Sequence, residues 1–397
     1  MKNLVLLDKP FVSDFLKQTI TKNQFSVVDT KIDPELVSVD SFPMVSPESA
    51  IATKKEDDTV LIYSNSENAI SWIEKNLEFS SLPDKIRLFK NKIRFRELIA
   101  PLYPDYFFKG IAFNQLDQLD PQTLVYPFVI KPAVGFFSMG VYKVDTIDEW
   151  PATLKKIQEE VKNSREVYPK QVIDTTDFII EEAIQGEEYA IDCYFNDQGK
   201  PVILNIMQHI FSSGKDVSDR LYFTSRKVIE NQLERMQDFV DKIGVLADVK
   251  NFPTHIEVRV DKQGVVVPIE VNPMRFGGWC SSPDMAWYAF GINEYEYFFN
   301  RKAPDWKEIL AKKDDKAHAI VILDNSTGIN GNQIRSFNYK KLWSEFEKPL
   351  DLRKADFKTY PLFGLLFCET SNPNSSEINR ILKSDLKEYV ESTVAGN

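Results

Sequence analysis

Cysteine and histidine are scarce in this 397-residue sequence, and several familiar motifs are missing. Its three cysteines, Cys193, Cys280 and Cys368, stand far apart, with no Cys-x-x-Cys pair and no Cys/His ligand spacing. Disulfides and a zinc site are therefore not expected, and a reducing cytoplasm is. The three histidines, His209, His255 and His318, are scattered and give a His-based triad no support. No apolar run nears the roughly 20 residues that span a bilayer, and the opening MKNLVLLDKPF lacks the apolar core and cleavage site of a signal peptide. There is no Gly-x-Gly-x-x-Gly to propose a dinucleotide, and no Gly-Lys-Ser/Thr to make a Walker A loop. Positive charge is also short. A net charge of −10 and a pI near 5.1 argue against nucleic acid or an anionic membrane as the main partner.

What is present is the composition of a globular protein, 43% hydrophobic and 27% charged. The length implies two to three domains with a large core. Periodicity predicts strands at 3–8, 25–29 and 60–63, alternating with helices at 12–21 and 67–76. That alternation reads as a small parallel α/β domain over the first ninety or so residues. The Pro/Ser/Glu-rich stretch 34–58 reads as a long surface connection. Farther on, a helix is expected over 147–163, then strands near 177–182, 187–192 and 201–211. A core-facing helix should cover 228–246. The aromatic stretch 279–299 reads as a helix packed on the core, and 376–390 as a terminal helix.

The stretch Thr254 to Gly278, THIEVRVDKQGVVVPIEVNPMRFGG, carries the densest chemistry. Two short strands flank a tight turn, Asp261 to Gly264, with Gly where φ must be positive. Alternation places Glu270 and Asn272 on one face of the second strand, and His255, Glu257 and Arg259 on one face of the first. A hairpin can bring Glu257 to that pair, giving two carboxylates and an amide oxygen, a hard ligand set suited to Mg²⁺. A hairpin with one wet charged face is the plainer alternative. Against it, Glu270 closes the apolar run Val265 to Ile269, so its carboxylate should be mostly dry and need a cation or a hydrogen-bond partner. Elsewhere, Lys131 leaves an apolar strand (Phe128 to Pro132) just before a loop with Gly135, Ser138 and Gly140. A point charge beside glycine backbone amides makes a phosphate cradle, although a hairpin turn explains the glycines equally well. In the polar loop 212–220, Lys215 and Arg220 are candidates to meet an anionic acceptor, with a plain surface loop preferred.

In these motifs and their order the chain resembles the ATP-grasp superfamily. The family's magnesium motif is an acidic residue, a turn, then Glu-x-Asn-Pro and an Arg. Here it reads Glu257, then Glu270-Val271-Asn272-Pro273-Met274-Arg275 and Gly277-Gly278, with Met274 inserted. Asn91-Lys92-Ile93-Arg94-Phe95-Arg96 is similar to the family's Asp-Lys-x-x-x-Arg, with Asn91 in place of Asp; alone it is equally a solvated basic helix face. Glu181-Glu182-Ala183-Ile184-Gln185-Gly186-Glu187-Glu188-Tyr189 is similar to the family's adenine hinge.

The resemblance covers about 85–300 and implies an α/β and α+β multidomain protein, with an ATP-grasp fold behind a small parallel pre-ATP-grasp domain. The implied divisions are 1–90, 91–310 (subdomains about 106–185 and 186–310), and a C-terminal α+β appendix, 311–397. It implies ATP, with two Mg²⁺ (or Mn²⁺) on Glu257, Glu270 and Asn272. Lys92 and Lys131 would take α/β-phosphate oxygens, and Gly135, Ser138 and Gly140 would cover the γ-phosphate. The backbone from Glu182 to Ile184, through Ala183, would read adenine with Glu181 beside its amino group. Glu188 would accept from the ribose, and Arg275 would stabilise charge on the transferring phosphoryl group. The implied activity is carboxylate–amine (or carboxylate–thiol) ligation of small molecules through an acyl phosphate. The implied protein is cytoplasmic, a homodimer is compatible, and neither nucleic acid nor membrane is a partner. A phosphotransferase with a hydroxyl acceptor and a non-catalytic nucleotide-binding protein remain open alternatives.

Overall fold

The computed structural model describes residues 3–37, 42–135, 140–167, 174–213 and 218–392. The chain opens with β1 (Leu4–Leu6), α1 (Asp14–Asn23), β2 (Ser26–Val28), β3 (Met44–Val45), α2 (Pro47–Glu56), β4 (Ile62–Ser64) and α3 (Glu67–Asn76). These strands form a parallel sheet in the order β3-β2-β1-β4, as the strand–helix alternation predicts. The stretch 34–58 is not the featureless connection expected of it, because it holds β3 and α2. Ser46 caps α2 by accepting from the Ser49 N–H, and Pro47 takes the first helical position. That start signal outweighs the polar composition.

Two helices follow, α4 (Leu82–Lys90) and α5 (Lys92–Ile99), separated only by Asn91. The Asn91 side chain accepts from the N–H groups of Ile93 and Arg94 and so starts α5. Next come β5 (Phe108–Ala112), β6 (Phe128–Val134), β7 (Tyr142–Val144), α6 (Trp150–Val167) and β8 (Asp174–Glu182). They build an antiparallel sheet in the order β5-β8-β6-β7. One face of that sheet buries Phe128, Ile130, Phe178 and Ile180 against Trp150 and Ile157 of α6. The opposite face receives α5, which packs on β5 and β6.

The chain then runs through β9 (Glu187–Phe195), β10 (Pro201–His209), β11 (Leu221–Ser225), α7 (Arg226–Ala247), β12 (Phe252–Val260) and β13 (Val266–Pro273). Beyond these lie α8 (Ser281–Phe290), α9 (Glu294–Phe299), α10 (Trp306–Ala311), β14 (Ala317–Asp324), β15 (Ile334–Phe337), α11 (Tyr339–Ser344), β16 (Lys348–Lys354), β17 (Leu362–Thr370), α12 (Ser376–Lys383) and β18 (Val390–Ser392). The aromatic stretch is thus two helices rather than one, with Gly291 between them at φ +72°. The terminal helix stops at Lys383, and Val390 instead enters a strand paired with β15.

By its contacts the chain divides into two compact units. The first holds 1–186, 193–202 and 237–280; the second holds 187–192, 203–236 and 281–397. In the second unit β11 pairs with β14, β14 with β17 and β17 with β16, all antiparallel, so residues beyond 311 continue a sheet begun before 226. Among the described residues no helix is long and apolar enough to cross a membrane.

Candidate functional site

The β12–β13 hairpin forms as its sequence demands. Gly264 has φ +85°, its N–H donates to Asp261 O at 3.0 Å, and Asp261 Oδ1 accepts from the Gln263 and Val265 N–H groups. The register sets Glu257 opposite Glu270 and His255 opposite Asn272, so all four side chains share one face. A bulge follows Glu257, where the register shifts and Ile269 loses its place in the ladder. Its carbonyl accepts from Lys131 Nζ at 3.4 Å instead.

Lys131 reaches that point because of strand alternation. In the β6–β8 pairing Val129 faces Glu181 and Lys131 faces Ile179, which makes Lys131 and Glu181 diagonal neighbours on one face. Lys131 Nζ lies 2.7 Å from Glu181 Oε1. Arg96 Nε lies 2.7 Å from Glu181 Oε2. One turn earlier on the same side of α5, Lys92 Nζ meets Glu270 Oε2 at 2.9 Å and the Gly135 carbonyl at 3.5 Å. Asn272 Nδ2 donates to Glu270 Oε1 at 3.1 Å, and His255 Nε2 is 3.6 Å from Glu257 Oε1. The site is therefore a buried cluster of alternating charge in the first unit.

Electrostatics follow from that layout. Burial is the largest influence on Glu270 and pushes its carboxyl up, but the charges of Lys92 and Lys131 overcome it and hold it at about 2. Glu181 is likewise pushed up by burial and brought down to about 2 by Arg96 and Lys131. Burial lowers Lys131, Glu181 opposes that, and the neighbouring cations Lys92 and Arg96 add to the lowering. Lys92 is raised: burial acts against its charge, but Glu270, Glu181 and Glu257 prevail. An added anion beside Lys131 would offset the repulsion that Lys92 and Arg96 exert on it.

The sequence-predicted residues fall as follows. Lys92, Lys131, Glu181, Glu270 and Asn272 converge directly, with Glu257 across the hairpin from Glu270. Gly135 borders the cluster and Gly140 has φ +64°, while Ser138 lies outside the described residues, as does Lys215. At the hinge, Glu182 O accepts from Tyr106 Oη at 3.1 Å and Ile184 O from Arg259 Nη1 at 2.7 Å. The Ala183 N–H donates to Pro127 O, and the Ile184 N–H has no backbone partner among the described residues. Both Glu181 oxygens meet cations, Oε1 at Lys131 and Oε2 at Arg96. Arg275 Nε and Nη2 each lie 3.2 Å from Glu67 Oε1, and Nη1 donates to Phe276 O at 2.9 Å. Lys90 takes the other Glu67 oxygen at 3.1 Å. The inserted Met274 is absorbed at φ +63°, its N–H bonded to Pro253 O and its carbonyl to the Ser64 N–H. Glu188 lies in the second unit, where it meets His209 Nδ1 at 2.8 Å. In that unit Arg220 is committed to Asp324 at 2.7 Å, so it serves the fold there.

Residues 124–283 match the family model described as an ATP-grasp domain. The chain therefore carries an ATP-grasp domain over that span. Solved structures repeat the fold over nearly the whole length of this chain. An L-amino acid ligase from Bacillus licheniformis is 17% identical, with 100% of this chain and 99% of that chain covered and a TM-score of 0.66. The N5-carboxyaminoimidazole ribonucleotide synthetase of Thermotoga maritima is 13% identical, with 98% and 99% covered and a TM-score of 0.60. The biotin carboxylase domain of the Hydrogenobacter thermophilus 2-oxoglutarate carboxylase, solved with MgADP, is 11% identical, with 94% and 87% covered and a TM-score of 0.58. No curated protein matches by sequence.

The donor chemistry of this cluster suits a divalent ion of the Mg²⁺ type. Among the described residues no trio of His, Cys, Asp and Glu side chains holds an ion by itself. The hairpin offers two opposed carboxylates and an amide instead, and Mg²⁺ takes few protein oxygens and completes its shell with water and phosphate. Sequence reasoning missed Glu67 and Lys90, and it named Arg96 in the Asp-Lys-x-x-x-Arg-like segment without giving it a role. Arg96 was open to view at the helical i, i+4 spacing from Lys92, whereas Glu67 has no local signal that ties it to Arg275.

Proposed function

We propose that this protein is an ATP-dependent ligase that activates a substrate carboxylate as an acyl phosphate and joins it to an amine, releasing ADP and phosphate. The observation that carries the reading is the convergence of Lys92 and Lys131 on the hairpin face bearing Glu270 and Asn272, with Glu257 opposite. A lysine ammonium has three donors, and Lys131 spends two on Glu181 and Ile269 O, which leaves one for a phosphate oxygen. Lys92 is proposed to exchange its hold on Glu270 for phosphate oxygens, a change eased by the net attraction of an incoming polyanion. The Glu182 carbonyl and the Ile184 N–H would read the adenine edge around Ala183, and Glu188 would accept from the ribose. Gly135, Ser138 and Gly140 would line the γ-phosphate.

Glu257, Glu270 and Asn272 would hold magnesium, which when bound neutralises charge on the β- and γ-oxygens. Phosphoryl transfer depends mainly on such positioning and charge neutralisation. In the proposed reaction a carboxylate oxygen attacks the γ-phosphorus and the bond to ADP breaks. The amine then attacks the acyl carbon, phosphate leaves, and the amine loses a proton. Arg275 would stabilise charge on the transferring group, with Glu67 and Lys90 fixing its direction. The shared fold with an L-amino acid ligase supports amino acids as the first compounds to try.

The test is a pairwise screen of amino acids and small carboxylates for ADP release with ATP and Mg²⁺, with products identified by mass. A condensed product with free phosphate supports ligation. A stable phosphorylated acceptor would make it a phosphotransferase. ADP release that never depends on an acceptor pair would overturn the proposal.

A further inference from the structure

Lys131 is held by Glu181, and Glu181 is held in turn by Arg96, the arginine that closes the Asp-Lys-x-x-x-Arg-like segment and to which the proposed reaction gives no task. We infer that Arg96 is a positioning residue for the nucleotide: acting through Glu181, it fixes the Lys131 ammonium and keeps the trio net positive where the phosphates bind. This rests on the reading that Lys131 meets phosphate.

Three observations carry it. First, Glu181 sits between two cations, 2.7 Å from Lys131 Nζ and 2.7 Å from Arg96 Nε, and all three side chains are at most 6% exposed. A lysine paired with one carboxylate presents no net charge to an incoming phosphate. A second cation on the same carboxylate restores one positive charge. Second, the lysine stem has four rotatable carbons and the guanidinium is a rigid plane, so the arginine is the better anchor for the carboxylate that steers the lysine. Third, Arg96 Nη1 and Nη2 are buried with no hydrogen-bond partner among the described residues, and the guanidinium lies 4.7 Å from the centre of the Tyr106 ring. A purely architectural arginine would satisfy those donors. This one is held by a ring face and one carboxylate, and the same tyrosine donates to the hinge carbonyl of Glu182. The arginine therefore braces both the phosphate lysine and the adenine hinge.

The experiment is a double-mutant cycle on ADP affinity, measured by calorimetry in Mg²⁺ with the full chain, with thermal unfolding recorded for each variant. Arg96→Met and Lys131→Met should each weaken ADP binding about ten- to hundred-fold. The double variant should bind ADP about as weakly as Lys131→Met alone, because Arg96 acts through that lysine. Arg96→Lys, which keeps a cation, should recover part of the loss. Should Arg96→Met not fold, Arg96→Gln, which also removes the cation, replaces it in the same cycle with the same expectation. Additive losses, or wild-type affinity in Arg96→Met, would overturn the inference and leave the nucleotide reading intact. Wild-type affinity in Lys131→Met would overturn both.

Discussion

At the scale of single residues, the site is a set of buried charges that stand only because they are paired. Glu270 is mostly dry, as the apolar run before it requires, and its partners are Lys92 and Asn272. Glu270→Gln keeps the shape and removes the charge. Acceptor-dependent ADP release should fall about 10²–10³-fold, and turnover equal to wild type would remove Glu270 from the metal set. Glu181 supplies a pH test. Its carboxyl is held at about 2 against an ordinary 4.5, so its folded value lies below its unfolded one. The stability it contributes is complete above pH 4.5 and drains away as pH falls towards 2. Urea midpoints should therefore decline through that window in wild type and decline less steeply in Glu181→Gln, while equal slopes would show that the pair carries no such linkage.

At the scale of elements, short-range geometry places the site. Asn91 ends α4 and caps α5, which carries both Lys92 and Arg96. Asn91→Asp should be tolerated, because a carboxylate accepts the same two N–H bonds and suits a helix N-terminus. Asn91→Ala should cost about 1 kcal/mol of unfolding free energy and weaken nucleotide binding with it. The hinge and the hairpin meet just as closely. Gly186 has φ +126°, and a Cβ there would stand 2.1 Å from Val260 O. Gly186→Ala should lower stability by about 1–3 kcal/mol, read as a shifted urea midpoint. A variant as stable as wild type would show that the hairpin can retreat. The elements misjudged from sequence have local reasons. The Ser46 cap makes a helix of polar residues, and Gly291 breaks an aromatic run whose composition alone looks continuous.

At the scale of the whole molecule, a ligand that binds only the folded chain must stabilise it. ATP with Mg²⁺ at 100-fold excess over its Kd should add about 2.7 kcal/mol and raise the thermal midpoint. The rise should shrink when a chelator removes the metal. A midpoint blind to ATP would count against the proposed function.

The sequence alone determined the hairpin and which side chains share its charged face, because turn and alternation act within a few residues, whereas the bulge after Glu257 that sets the register emerged only in the structure. It determined the parallel opening sheet for the same reason. Only the tertiary structure decided which charges meet. Arg96 and Glu181 are 85 residues apart, and Arg275 and Glu67 are 208 apart. Such pairs form only when packed helices deliver side chains to a strand face, and a local pattern holds no record of that packing.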